Sequence, residues 1–260
     1  MSRTVRAELM KVRTTRLWWG LLIGLVVLVV LNAAVLAAFA GSDTGPGGPS
    51  LPALDTPDGF RSALSSGFQS GYLLAAVLGT IIGAADNRHR TATQTFLATP
   101  SRGQVVLAKM LTGAGFGAVY AVTTQLVSVV VVSIVAAVRG AGTQLGDGSV
   151  LQSLALGVPG VMVWCVIGVS LGVLLRNQVA AILVAVAVIY LVDTLLSLGL
   201  HAAHADEIVK FTPNNASTAV VQGFTGYDLL PWWAGVIVLL AYSAAIAVCG
   251  WWLSLRRDIA

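Results

Sequence analysis

Asp193 is the one acid well inside an apolar run of this sequence. An ionisable side chain in hydrocarbon is costly, so it is a functional hypothesis by default. It lies 14 residues beyond Val179 (193 − 179), about 21 Å up a helix. That puts it in the outer half of a bilayer. A proton relay usually uses a chain of acids and histidines, and none accompanies it. Two readings stand: a residue of a substrate path, or a hydrogen-bonded packing acid near the outer mouth. Thr124, Gln125 and Asn32 are weaker candidates of the same kind.

Other chemistry is thin. His201, His204 and Asp206 resemble a metal cluster only loosely and read better as a wet helix end, so no metal site is expected. Cys165 and Cys249 fall inside apolar runs, match no metal or redox spacing and read as small packing residues. There is no H-E-x-x-H and no G-x-x-x-x-G-K-[ST], so the chain has no P-loop of its own and is not expected to be an enzyme. Gly79/Gly83 and Gly113/Gly117 are G-x-x-x-G spacings that let helix backbones approach, as a packing face or a dimer face.

The elements that hold these residues follow from composition. Apolar residues make up 57% of the chain, charged residues 10%, and mean hydropathy is +0.85. A soluble domain carries roughly 25% charge. The arithmetic excludes a soluble enzyme, a disordered chain and a disulfide scaffold, and leaves the bilayer as solvent. Six apolar stretches are long enough to cross a core that takes about 20 residues. They cover 17–40, 67–85, 104–138, 154–175, 179–200 and 230–253, and only helices satisfy their own backbone in lipid over such runs. In the sixth, Trp233 to Trp251 is 18 steps, about 27 Å, so aromatic pairs mark both interfaces. The first has a basic lead and ends in Ala38-Phe39-Ala40, like a signal peptide. Its apolar run exceeds the roughly 15 residues of a signal core, so it reads as a helix.

Charge sets the orientation. With the N-terminus inside, the inner segments hold Arg3, Arg6, Lys11, Arg13, Arg16, Arg88, Arg90, Arg102, Lys109, Arg176, Arg256 and Arg257. The outer ones hold Arg61, Arg139 and Lys210, twelve against three of the fifteen. The positive-inside rule then places both termini in the cytoplasm. The same clustering at span ends argues against a nucleic-acid partner, although the net charge is +4.

Four non-spanning segments remain. Residues 41–66 are rich in Gly, Pro, Ser and Asp and read as an outer loop. Residues 201–229 are moderately apolar and read as re-entering the interface. Residues 2–16 place Val5, Leu9 and Val12 at helical spacing with basic residues on other faces. They form either an amphipathic helix on the inner surface or a basic tail that fixes topology. Residues 86–109 are too long for a tight turn and too short for a domain, which suits either docking on a cytoplasmic partner or a solvated hairpin.

Several motifs resemble one family. Glu8-Leu9-Met10-Lys11 with Thr14-Thr15-Arg16-Leu17-Trp18-Trp19 is similar to the opening of actinobacterial permease subunits of the type-2 ABC exporters. Asp86-Asn87-Arg88-His89-Arg90-Thr91-Ala92-Thr93, then Leu97-Ala98-Thr99-Pro100-Ser101-Arg102, ending at Lys109, resembles that family's loop between the second and third spans. Leu174-Leu175-Arg176-Asn177 resembles its turn between the fourth and fifth, and Asn214-Asn215-Ala216 and Arg256-Arg257-Asp258 also match. The family usually has glutamate where Asp86 stands, and the shorter acid keeps the charge but changes its reach. The chain also lacks the large outer domain of some relatives.

The resemblance implies an all-α integral membrane fold: six transmembrane helices after an N-terminal amphipathic interfacial helix, the ABCG-like (type V) exporter domain, with 1–260 as one unit. It implies a permease in the cytoplasmic (inner) membrane of a bacterium. Its partners would be two ABC-type ATPase subunits and a second permease chain, identical or homologous. The chain itself would bind no cofactor, with ATP and Mg on the ATPase. Coupling would fall to Glu8 in the connecting helix and to Asp86, Arg88, Arg90, Thr91, Pro100, Arg102 and Lys109 in the coupling loop. An apolar cavity lined by the second and fifth spans would pass a drug, a lipid or a natural product outward. The rivals are a proton-coupled carrier dependent on Asp193, a non-transporting regulatory or immunity subunit, and an intramembrane enzyme, for which Asp193 lacks a partner.

Overall fold

The computed structural model describes residues 2–42, 51–88, 101–175, 177–221 and 229–256. Among these every regular element is helical. The helices are α1 Ser2–Thr14, α2 Leu17–Phe39, α3 Pro57–Arg88, α4 Arg102–Val138, α5 Gly148–Leu175, α6 Gln178–Ala202, α7 Asp206–Val209, α8 Pro213–Val220 and α9 Trp232–Arg256. Six of them, α2 to α6 and α9, are long and apolar enough to cross a membrane. A π-helical turn at Val188–Val192 interrupts α6 immediately before Asp193.

Two helices start earlier than their apolar runs, because caps and not hydropathy set the boundaries. The α3 helix begins ten residues before 67 (67 − 57). Thr56 accepts the Gly59 amide at 3.1 Å, and Pro57 supplies a first-turn φ with no amide to satisfy. The α5 helix begins at Gly148 and not at 154, with the Asp147 carboxylate accepting the Ser149 amide at 2.8 Å. At the tight turn into α6, Asn177 accepts from the amides of Val179 and Ala180 at 3.0 and 3.2 Å. The α4 helix ends in a Schellman turn. Gly140 has φ +70°, and Ala141 N–H donates to Ala136 O at 2.8 Å. His204 holds the equivalent left-handed position after α6, with φ 54°, which gives that histidine a backbone role.

The core is centred on α3, the most enclosed of the six spanning helices, packed most extensively on α5. Their contact is two glycine pairs meshed together. A Cβ added at Gly79 or Gly83 would fall 2.1 Å from Cys165 O or 2.3 Å from Val169 O. One added at Gly168 or Gly172 would fall 2.1 Å from Ala76 O or 2.4 Å from Thr80 O. Backbones this close exclude any side chain, which is how small residues hold helices together without a hydrophobic driving force. Gly113 and Gly117 of α4 face Val169, Cys165 and Met162 of α5. Both G-x-x-x-G spacings read from the sequence therefore pack within the chain and are not available as a dimer face.

The segment after α6 sits inside the bundle. Ala216, Ala219 and Val220 of α8 are buried. Trp164 Nε1 donates to Ser217 Oγ at 2.7 Å, Ser153 Oγ donates to Val221 O at 2.6 Å, and the Tyr72 hydroxyl bonds the Asn214 side chain. Tyr72 also stacks on Trp164, with centroids 4.9 Å apart. At the same end of the bundle Arg139 donates to Ala37 O and Ala40 O at 2.9 and 2.8 Å, placing a cation on the negative end of α2.

Candidate functional site

At the opposite end of the bundle four charged side chains close into a ring. They come from three helices: Glu8 and Lys11 from α1, Asp86 from the last turn of α3, and Lys109 from the third turn of α4. Lys109 Nζ lies 2.9 Å from Glu8 Oε2 and 3.0 Å from Asp86 Oδ2. Lys11 Nζ lies 2.5 Å from Glu8 Oε1 and 2.9 Å from Asp86 Oδ1. Among the described residues each carboxylate therefore gives one oxygen to each ammonium, and these four charges cancel. The third proton of Lys109 reaches the Ile82 carbonyl at 3.2 Å.

Burial explains why the ring is complete. The Lys109 and Glu8 side chains are only 4% and 3% exposed, against 38% for Lys11. A buried charge is tolerated only when paired and hydrogen-bonded. Partial burial pulls the Lys11 pKa down, but hydrogen bonds to Asp86 and Glu8 outweigh it, and the net shift is upward from the ordinary 10.5. Lys11 therefore stays charged at neutral pH. The ring fastens α1 against the bundle. Val12 of α1 is buried there too, so the N-terminal segment is a helix with a packed face and not a loose basic tail.

Of the residues expected to couple to an ATPase, Glu8, Asp86 and Lys109 converge in the ring. Arg88 stands one turn away and donates to Gln178 Oε1 of α6 at 2.7 Å. Lys11 completes the ring and was missing from the candidate set. Its i, i+3 spacing from Glu8 was the available signal. Arg90, Thr91 and Pro100 lie outside the described residues. Arg102 opens α4, but its side chain is outside them as well. Within 86–109, α3 runs to Arg88 and α4 starts at Arg102.

The intramembrane candidates do not meet. Asp193 is buried and accepts the Asn214 amide at 3.1 Å, with the Thr212 hydroxyl as a further partner. It therefore caps the N-terminus of α8 from another helix, since Thr212 offers no side-chain cap of its own. It also lines a 230 Å³ apolar cavity with Ala76, Trp164, Leu171, Tyr242 and Ile246. Thr124 is buried against Gly71, while Gln125 donates to the Leu154 carbonyl at 3.1 Å and packs on Gly157. Asn32 is exposed on the outer side of α2 and donates to Leu28 O at 3.0 Å.

A family model described as ABC-2 family transporter protein matches residues 4–193, well over half of the chain. The chain belongs to the ABC-2 transporter family. The match covers α1 to the π turn of α6 and so includes every member of the ring. No curated protein matches the chain at a significant level. As an ABC-2 member with six spanning helices, the chain is a multi-pass membrane component of a transporter and not itself the catalytic part. ABC-2 permeases typically work with an ATPase partner. The ring lies at the end of the bundle that carries the expected coupling residues.

Proposed function

We propose that this chain is the membrane-spanning subunit of an ATP-driven exporter in the cytoplasmic membrane of a bacterium, with both termini inside and two separate ATPase subunits docked on the ring face. A second permease chain completes the pathway. The observation that carries this reading is the ring of Glu8, Lys11, Asp86 and Lys109. It joins α1 to both helices flanking the inner segment between α3 and α4, so a push on that segment moves three helices as one body. Force from ATPase closure would reach α3, and through its glycine contacts α5, with little lost to bending of side chains. A nucleotide drives the change only by contacting the two states differently.

The cargo is apolar or amphipathic, and its contact surface is the 230 Å³ cavity at Asp193 between α3, α5, α6 and α9. The α6 helix supplies more of this lining than any other helix, and α3 supplies only Ala76. The test is capture of the tagged chain in mild detergent from its own host, with ATP hydrolysis assayed on the eluate. Co-purifying P-loop ATPase that survives washing supports the reading. An ATPase-free chain that moves solute in vesicles under a proton gradient refutes it. Within a captured complex, Asp86→Asn should leave hydrolysis running while transport falls.

A further inference from the structure

Beside the ring is a cleft of 310 Å³ between α1, the start of α2, the end of α3 and the start of α6. Its floor is apolar, formed by Trp18, Leu78, Ile81 and Ile82, and its rim carries Lys11 and Arg88. From Leu78 to Asp86 is eight residues (86 − 78), about 12 Å along α3. The floor therefore runs from the charged end of the bundle into the depth of the apolar span.

The two rim cations have donors to spare. Lys11 spends two of its three N–H groups on Glu8 and Asp86. Arg88 is exposed and donates to the neutral Gln178, and no carboxylate pairs with it among the described residues. Among the described residues the ring sums to zero, so Arg88 makes this rim net positive there. Arg3, Arg6, Arg13 and Arg16 are exposed on or just after α1 and draw anionic headgroups to the same surface.

We propose that this cleft binds one anionic phospholipid of the cytoplasmic leaflet, with its phosphodiester on Lys11 and Arg88 and an acyl chain along the floor. The leaflet rests on the orientation proposed above. A zwitterionic lipid brings its own cation to a rim that is already positive. A free anion leaves the apolar floor uncovered. The bound lipid spans α1, α3 and α6 and so reinforces the attachment of α1 that the ring begins.

The test uses the purified full chain in dodecyl maltoside, titrated with phosphatidylglycerol, phosphatidylcholine or inorganic phosphate, and read by native mass spectrometry and thermal stability. Phosphatidylglycerol should bind about fivefold more tightly than phosphatidylcholine, the value of one well-placed basic contact, and phosphate should change nothing. Arg88→Gln should bring the two lipids close to parity, while Arg88→Lys keeps most of the preference. Arg16→Gln, which lies outside the cleft, should keep it too. Equal binding of both lipids to the unmodified chain overturns the proposal, as does an unchanged preference in Arg88→Gln. An equal loss in Arg16→Gln reduces the effect to general surface charge and also overturns it. Phosphate that matches phosphatidylglycerol identifies a water-facing anion site and overturns the lipid. No ATPase enters this experiment, so failure to capture an ATPase leaves its result standing, and the reverse holds.

Discussion

Replacing Lys109 with methionine removes an enclosed cation and leaves a side chain of similar length. Three contacts go: Glu8 Oε2 at 2.9 Å, Asp86 Oδ2 at 3.0 Å and Ile82 O at 3.2 Å. Breaking a buried pair by removing one partner costs about 3–5 kcal/mol, because the other charge stays buried. Here the lower end applies, since Lys11 still bonds one oxygen of each carboxylate. About 3 kcal/mol is roughly a hundredfold in the folding equilibrium. Lys11→Met should cost far less, because its side chain is over one third exposed and water takes its place. The assay is unfolding in mixed micelles followed by tryptophan fluorescence, on Lys109→Met, Glu8→Gln and the double variant. If the ring is one unit, the double loss falls short of the sum by about 2 kcal/mol. Additivity within about 0.5 kcal/mol, or a Lys109→Met variant as stable as the original, would refute the reasoning.

Gly79→Ala and Gly168→Ala should each destabilise the protein by at least about 1–3 kcal/mol, since the new methyl meets a carbonyl oxygen that cannot step aside. Gly115→Ala, with nothing within 4 Å, should be neutral or up to about 1 kcal/mol stabilising, and thermal unfolding of the three variants compares them directly. Trp164→Phe removes the bond to Ser217 and about 1 kcal/mol with it, and hydrogen exchange should rise first in α8. Lys11 titrates above its ordinary value when folded, so its contribution is complete below 10.5 and is lost only as pH climbs from there through the raised pKa. Melting temperature across neutral pH should therefore not report on this group, and Lys11→Met should flatten part of the alkaline decline.

Much of the fold was open to a reader of the sequence. A spanning helix must carry about 20 apolar residues and satisfy its own backbone, so hydropathy alone locates six of them. The starts of α3 and α5 were less legible. Thr56-Pro57 and Asp147 are good caps, but they lie in polar sequence where a hydropathy window sees no helix. Within the site, Glu8, Asp86 and Lys109 could be nominated from motifs. That they meet could not, because Asp86 is 75 residues from Lys11 and Glu8 is 101 residues from Lys109; only the i, i+3 spacing of Glu8 and Lys11 was visible in the sequence.

What the sequence determined by itself is the solvent and the repertoire. Six apolar runs and fifteen basic residues gathered at their ends leave the bilayer as the only medium and set which end of each helix carries charge. What only the tertiary structure decided is pairing. Gly79 and Gly83 could have faced another chain, and Asp193 could have stood without a partner. The first two are closed by α5, and the third caps α8 while lining the apolar cavity. Helix-to-helix choice in a membrane depends on close backbone contact and on which polar groups find each other, and both are relations between residues far apart in the chain.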